Sequence, residues 1–368
     1  LNLDLPILLT AVSVALGCSI VGCLLVLRRM SLISDAISHA VLLGIVLAFL
    51  ATGDLQSPWL LIGAAITGVV TVVLIQLVLS SRRLKEDAAI GLVFPLLFSI
   101  GVILITRLAG NVHLDADAVL TGELGYVWMD MRPVGPFLLP YSFIVSFIVL
   151  LANILFVGLC YKELKLSTFD AGLAAALGFS PAILHYALVS LVSITAVASF
   201  DAVGSILMVA LMIAPPAGAW LLSRSLAQML GWSMLIGSLS AVAGYYLAGF
   251  LNSTIAGCIA LCCGLSFVLC WLLAPERGLV AAWLRSARQR VLFAAQMLAV
   301  HIANHEGRPE EAVECNVGNI AEHMHWQADF ADDVVGYAQR HNMLREQDSI
   351  LRLTEEGRSI AEKLMLHG

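Results

Sequence analysis

Arg28-Arg-Met-Ser-Leu-Ile-Ser-Asp-Ala-Ile-Ser-His-Ala-Val-Leu-Leu-Gly-Ile-Val-Leu-Ala-Phe49 is the stretch that decides how this chain reads. Two arginines lead into an apolar run long enough to cross a bilayer, which takes about 20 residues. Inside that run stand an aspartate, a histidine and three serines. An ionisable side chain within a span costs several kcal/mol, about 2.5–3.5 on insertion scales, unless it faces a cavity or a partner. The stretch therefore reads as a membrane helix that carries function.

The rest of the chain agrees with a membrane protein. Its 368 residues are 60% hydrophobic and 12% charged, whereas soluble domains carry about 25% charged residues. Apolar runs recur, and nine spans are expected at 5–27, 31–51, 58–79, 88–108, 137–161, 182–200, 203–222, 226–250 and 254–273. No cleavable secretory signal is read ahead of the first span, so 5–27 is expected to be a retained helix. The polar breaks orient the chain by the positive-inside rule. Arg28, Arg29, Arg82, Arg83, Lys85, Lys162, Lys165, Arg224 and Arg277 fall on one side, against Arg107 and Arg132 on the other. The side with nine basic residues is expected to be cytoplasmic, with the N-terminus outside and the C-terminus inside.

Asp35 and His39 stand four residues apart, so on a helix their side chains meet on one face. Ser31, Ser34 and Ser38 fall on or beside that face, and Ser34 and Ser38 are expected to line a pore. Ile33, Ile37, Val41 and Leu43 are left for lipid or neighbouring helices. A carboxylate and an imidazole suit borderline divalent ions such as Mn²⁺, Fe²⁺ and Zn²⁺. One helix supplies two ligands, so a closed site needs waters or a second copy of the pair, which points to a dimer. The plainer alternative is an Asp–His hydrogen bond that joins helices.

Three further segments carry signals. The outer loop 110–136 contains His113, Asp115, Asp117, Glu123 and Asp130, which could draw in cations or simply be solvated. On the inner side, Asp170 is expected to cap a short helix that Ala174-Ala-Ala-Leu177 propagates and Gly178 ends. Such a surface helix between two spans would serve as a lever for a soluble partner, or as a plain connection. Eight cysteines show no disulfide or metal spacing; Cys258 and Cys262 are one turn apart and read as small packing residues.

After Pro275 the composition changes. Residues 276–300 read as an amphipathic linker helix whose Arg285, Arg288 and Arg290 favour anionic lipid headgroups. Residues 301–368 read as a small cytoplasmic α+β domain of winged-helix type: helices at 318–325 and 330–341, a hairpin at 343–353 and a closing helix. From His301 to Gly368 there are six Lys/Arg against thirteen Asp/Glu, a net charge of −7. Asp329, Asp332 and Asp333 stand where phosphates would approach. DNA binding rests on neutralising phosphates, so nucleic acid is not an expected partner. His323 and His325, among the tail histidines, are candidates for a weak regulatory metal site, with solvated histidines as the alternative.

The motifs bring a resemblance. Arg28–Gly44 resembles the second-span signature of the manganese, zinc and iron ABC importer permeases. Phe169-Asp-Ala-Gly-Leu-Ala-Ala-Ala-Leu-Gly-Phe179 is similar to that family's coupling helix, and Asp201-Ala-Val-Gly-Ser-Ile-Leu-Met-Val-Ala-Leu-Met-Ile-Ala-Pro-Pro-Ala-Gly218 to its long small-residue span. Leu43 departs from the pattern, standing where the family often has proline. The tail looks like an extension carried by some members, the Tro-type among them. Leu353-Thr-Glu-Glu-Gly-Arg-Ser-Ile-Ala361 resembles the DNA-binding half of iron- and manganese-dependent repressors.

The resemblance implies an all-α polytopic permease domain over residues 1–275, of the type II ABC importer kind, in a bacterial inner membrane. Its expected work is ATP-driven alternating access that carries Mn²⁺, Zn²⁺ or Fe²⁺ inward past Asp35 and His39. Phe169, Asp170, Ala171, Ala174, Leu177 and Gly178 would form the ATPase-coupling helix. The expected partners are cytoplasmic ATPase subunits that bind the ATP, a second permease subunit, identical or homologous, and a periplasmic or lipid-anchored metal-binding protein. No resident cofactor is implied, and the chain lacks the Gly-x-x-x-x-Gly-Lys-Ser/Thr phosphate loop of an ATPase. Two other classes fit some of the residues: a membrane-anchored metal-responsive regulator, and an ion-coupled secondary carrier.

Overall fold

The computed structural model describes residues 4–53, 59–81, 83–108, 124–134 and 137–367. The chain divides into two compact units, Leu1–Gly278 and Leu279–Gly368.

Among the described residues of the first unit, nine helical segments are long and apolar enough to cross a membrane. They come from α1 (Asp4–Leu27), α2 (Leu32–Thr52), α3 (Trp59–Ser80), α4 (Glu86–Leu108), α5 (Tyr141–Leu159), α8 (Pro181–Leu222), α9 (Leu226–Leu251) and α10 (Ile255–Leu273), with α8 supplying two. Helices satisfy every backbone polar group within their own segment, which hydrocarbon demands. Helix α1 is central, 78% of its spanning window being buried, against 22% for α5 and for α10. It packs on α5, α8 and α9, while α2 packs on α3, α4 and α8.

Two boundaries differ from those read in the sequence. The span expected from residue 137 starts at Tyr141, because Phe137–Pro140 is a strand paired antiparallel with Met131–Val134. Pro140 itself is the extended N-cap residue of α5. The spans at 182–200 and 203–222 run on as one helix, interrupted at Gly204, whose φ of 79° and ψ of 169° only glycine adopts at little cost.

Small residues bring the helices together. A methyl group on Gly44 would lie 2.3 Å from the carbonyl oxygen of Gly63 and 2.4 Å from Thr67 Oγ1, so α2 and α3 cross nearly backbone to backbone. Polar groups add directional contacts: the buried Asn153 amide donates to Gly17 O at 3.2 Å and to Thr195 Oγ1 at 3.0 Å, joining α5 to α1 and α8. Gly44→Val should force α2 and α3 apart at a cost of about 1–3 kcal/mol. Thermal unfolding of the purified protein should show a clearly lowered midpoint, and an unchanged midpoint would refute the close crossing.

The second unit begins with α11 (Leu279–His305). Short turns α12 (Glu311–Glu314) and α13 (Ile320–His323) follow, then α14 (Ala328–Arg340), the strands Leu344–Gln347 and Ile350–Leu353, and α15 (Glu355–His367). The strands pair antiparallel, Leu344 opposite Leu353, through a turn in which Asp348 and Ser349 have positive φ. Helix α11 is not a linker that stops at 300: Ala294, Ala295, Leu298, Ala299 and Ile302 are buried in the core of this unit with Val334, Met343 and Leu351. The helix expected at 318–325 is reduced to the single turn α13, and α14 starts at Ala328. Thr354 caps α15, its hydroxyl accepting from Gly357 N–H at 3.1 Å.

Candidate metal-transit site

The polar residues of α2 divide between two faces. His39 Nε2 lies 3.5 Å from Asp35 Oδ1, and the side chains are 34% and 45% exposed, so the pair has an open side. Ligand bonds of 2.0–2.2 Å in tetrahedral geometry separate two donor atoms by about 3.4 Å. The spacing of the pair thus suits two ligands of one ion, with the exposed side left for donors from elsewhere.

Ser34 and Ser38 do not share that open face. Both are buried, and their hydroxyls donate to the carbonyls of Ser31 at 2.8 Å and Ser34 at 2.7 Å on their own helix. The expectation that they line a pore is corrected here: the neighbours of α2 cover them and their protons are used locally. Ile33, Ile37, Val41 and Leu43 are buried against protein rather than lipid. Helix α2 runs unbroken through Leu43.

Two residues that the sequence reading passed over hold the imidazole. The ring of His39 lies 5.6 Å from that of Phe94 and 6.0 Å, edge-on, from that of Phe98, both on α4. Their spacing of four residues was a readable signal for one helix face, but not for which neighbour that face meets. Gly101 permits the approach, since a methyl there would be 3.1 Å from the Leu43 amide nitrogen. A further, partly buried polar contact joins Gln76 Nε2 of α3 to His185 Nε2 of α8 at 3.0 Å.

A second constellation lies between α5 and α8. After α6 (Tyr161–Phe169), the Asp170 carboxylate accepts from Leu173 N–H at 2.9 Å and starts α7 (Ala171–Ala176). Leu177 follows as the C-cap residue, and Gly178 at φ +87° turns the chain out. Ala174 is buried and anchors the turn, while Phe169, Leu173 and Leu177 project from the surface. Arg28 reaches this segment: its Nε donates to Thr168 Oγ1 at 3.1 Å and its Nη2 to Ser167 Oγ at 2.9 Å. Partial burial draws its guanidinium below its ordinary range.

Of the acidic loop expected on the outer side, Asp130 is exposed and pairs with Arg132 at 3.4 Å; His113, Asp115, Asp117 and Glu123 lie outside the described residues. In the second unit His323 Nδ1 is 3.2 Å from Glu314 Oε2. His325 is exposed with a φ of +53° and has no side-chain partner among the described residues, so the two histidines do not form a pair.

The ABC 3 transport family matches residues 3–274. Similar curated proteins include the zinc transport system membrane protein TroD of Treponema pallidum, 42% identical over 98% of both chains. The manganese transport system membrane protein MntD of Bacillus subtilis is 45% identical over 76% of this chain and 95% of its own. Among solved structures, PsaBC from Streptococcus pneumoniae in complex with Fab aligns with a TM-score of 0.63 at 29% identity, covering 75% of this chain and 94% of that one. The similarity to TroD runs through the C-terminal unit, which the family match leaves out.

Proposed function

The chain belongs to the ABC 3 transport family, and from that premise we propose that it is the permease subunit of an importer for a divalent transition-metal ion. It is a multi-pass membrane protein and a permease component without catalytic activity of its own. The ion is of the Mn²⁺ and Zn²⁺ class, in line with the relatives' names. Zn²⁺, Mn²⁺ and Fe²⁺ all accept carboxylate and imidazole donors.

The observation that carries this reading is the Asp35–His39 pair, 3.5 Å apart and open on one side within a span. In the proposed mechanism two permease subunits, identical or related, bring two such pairs to a shared axis. A metal-binding protein on the outer side releases the ion to them, and ATPases dock on α7 from the cytoplasm. ATP-driven movement of α7 then rearranges the spans and loosens the coordination toward the cytoplasm, in alternating access. The basic loops support an outside N-terminus and a cytoplasmic C-terminal unit. For that unit we propose a winged-helix-like domain engaged in protein contact or regulation, since its charge of −7 opposes phosphate binding.

Reconstitution tests the reading. Proteoliposomes that hold the complex with its ATPase should accumulate radioactive Mn²⁺ or Zn²⁺ when ATP is supplied and should not do so without it. Accumulation by the permease alone, driven by an ion gradient, would overturn it in favour of a secondary carrier.

A further inference from the structure

Helix α11 ends in His301 and His305, one turn apart, with ring centroids 4.8 Å from each other. The turns that follow bring Glu314 and His323 against them. His301 Nε2 lies 3.6 Å and His323 Nδ1 3.2 Å from the same oxygen, Oε2 of Glu314. One ligand atom from each of His301, His305 and Glu314 falls within 4.8 Å of the others. These four side chains are between 17% and 26% exposed, sheltered but reachable.

The surroundings distinguish Glu314 from the other acids near it. Glu306 pairs with Arg358 at 2.8 Å and Glu311 with Arg352 at 3.4 Å. Among the described residues Glu314 has no lysine or arginine beside it and faces imidazoles instead. Nδ1 of His305 is buried without a hydrogen-bond partner among the described residues, with Glu310 Oε2 3.7 Å away. A carboxylate without a fixed cation and a buried ring nitrogen without a partner are both left for a ligand that accepts electron pairs.

We propose that His301, His305, Glu314 and His323 form a second binding site for a divalent transition-metal ion, in the C-terminal unit. The distances of 3.2 and 3.6 Å between donor atoms bracket the separation of about 3.4 Å between tetrahedral ligands at 2.0–2.2 Å bonds. Imidazole with a single carboxylate selects Zn²⁺, Co²⁺ and Fe²⁺ over Mg²⁺ and Ca²⁺, which take oxygen donors. His301 Nε2 also lies 3.2 Å from the Glu314 carbonyl oxygen, a hydrogen bond that metal binding would exchange for coordination. The ion would tie the end of α11 to both turns that follow. Its identity with the transported ion rests on the proposed function; the site does not.

Co²⁺ added to the purified full-length protein is the test, read by its visible d–d absorption. To remove the transit pair, the protein carries Asp35→Ala and His39→Ala. This protein should still bind one Co²⁺ per chain with imidazole–carboxylate absorption. Adding Glu314→Gln, or His301→Ala with His323→Ala, should weaken binding by at least about tenfold, the lower end of what even an outer-shell substitution costs. Adding His325→Ala should leave the titration unchanged. The proposal fails if the protein lacking the transit pair binds no Co²⁺. It also fails if Glu314→Gln, which keeps volume and fold, titrates like its parent, since the cluster is then a hydrogen-bonded fastening. Loss of uptake with these titrations intact concerns the transit pair alone, so the two readings fail separately.

Discussion

Asp35→Ala and His39→Ala should each reduce metal uptake to background while leaving assembly with the ATPase intact. On the proposed function the two side chains are the donors that α2 offers to an ion, and they lie 3.5 Å apart on a face that is open. A pore built from two subunits loses two ligands for every single substitution in a pair of identical chains. Loss of an outer-shell partner already costs about 10–100-fold in metal affinity, and loss of a ligand should exceed that. Folding should survive, because both side chains are partly exposed and the buried face of α2 is formed by Ile33, Ile37 and Val41. Asp35→Asn is the sharper variant: it keeps the size and removes the charge. ATP-dependent uptake of radioactive Mn²⁺ or Zn²⁺ into proteoliposomes measures the effect, and wild-type uptake by either alanine variant would end the transit-site reading.

The second large effect is expected at α7. Phe169 is 64% and Leu177 60% exposed, flanking a turn whose own fold depends on the Asp170 cap and on buried Ala174. Two large apolar side chains held out on a capped turn have the character of anchors for a groove in a partner. Truncating such an anchor commonly costs 2 kcal/mol or more, about 30-fold in affinity, and a buried charge costs more. Phe169→Asp with Leu177→Asp should therefore release the ATPase on purification and abolish metal-dependent ATP hydrolysis. The permease itself should remain folded, since neither side chain packs in its core. Undiminished co-purification of the ATPase would exclude α7 as the docking element.

Much of this architecture is legible in the sequence because hydrocarbon is an undemanding reader: about 20 apolar residues in a row have few other uses. The errors arise where hydropathy is silent. Phe137-Leu-Leu-Pro140 is as apolar as the helix it precedes, and only its pairing with Met131–Val134 makes it a strand. Helical spacing placed Ser34 and Ser38 close to Asp35, but which side of α2 its neighbours cover is a property of the packing of α3, α4 and α8. Phe94 and Phe98 escaped for the same reason. In the C-terminal unit the i, i+4 spacing of His301 and His305 was readable. Glu314 and His323 reach them through turns that no periodicity encodes, while the left-handed backbone at His325 directs that residue elsewhere.

Arg28 does more than lead into the second span. It stands between α1 and α2, and its guanidinium grips Ser167 and Thr168 just ahead of Phe169. On the proposed role of α7, this side chain is one path by which a displacement there reaches the helix of Asp35 and His39, beside the packing of α8 on α2. Both of its acceptors are hydroxyls. A link made by an ion pair weakens as salt screens it, whereas a half-buried guanidinium held by neutral oxygens has no opposite charge to screen. On the proposed roles of α7 and of Asp35 with His39, this link should therefore depend less on ionic strength than an ion pair at the same place would.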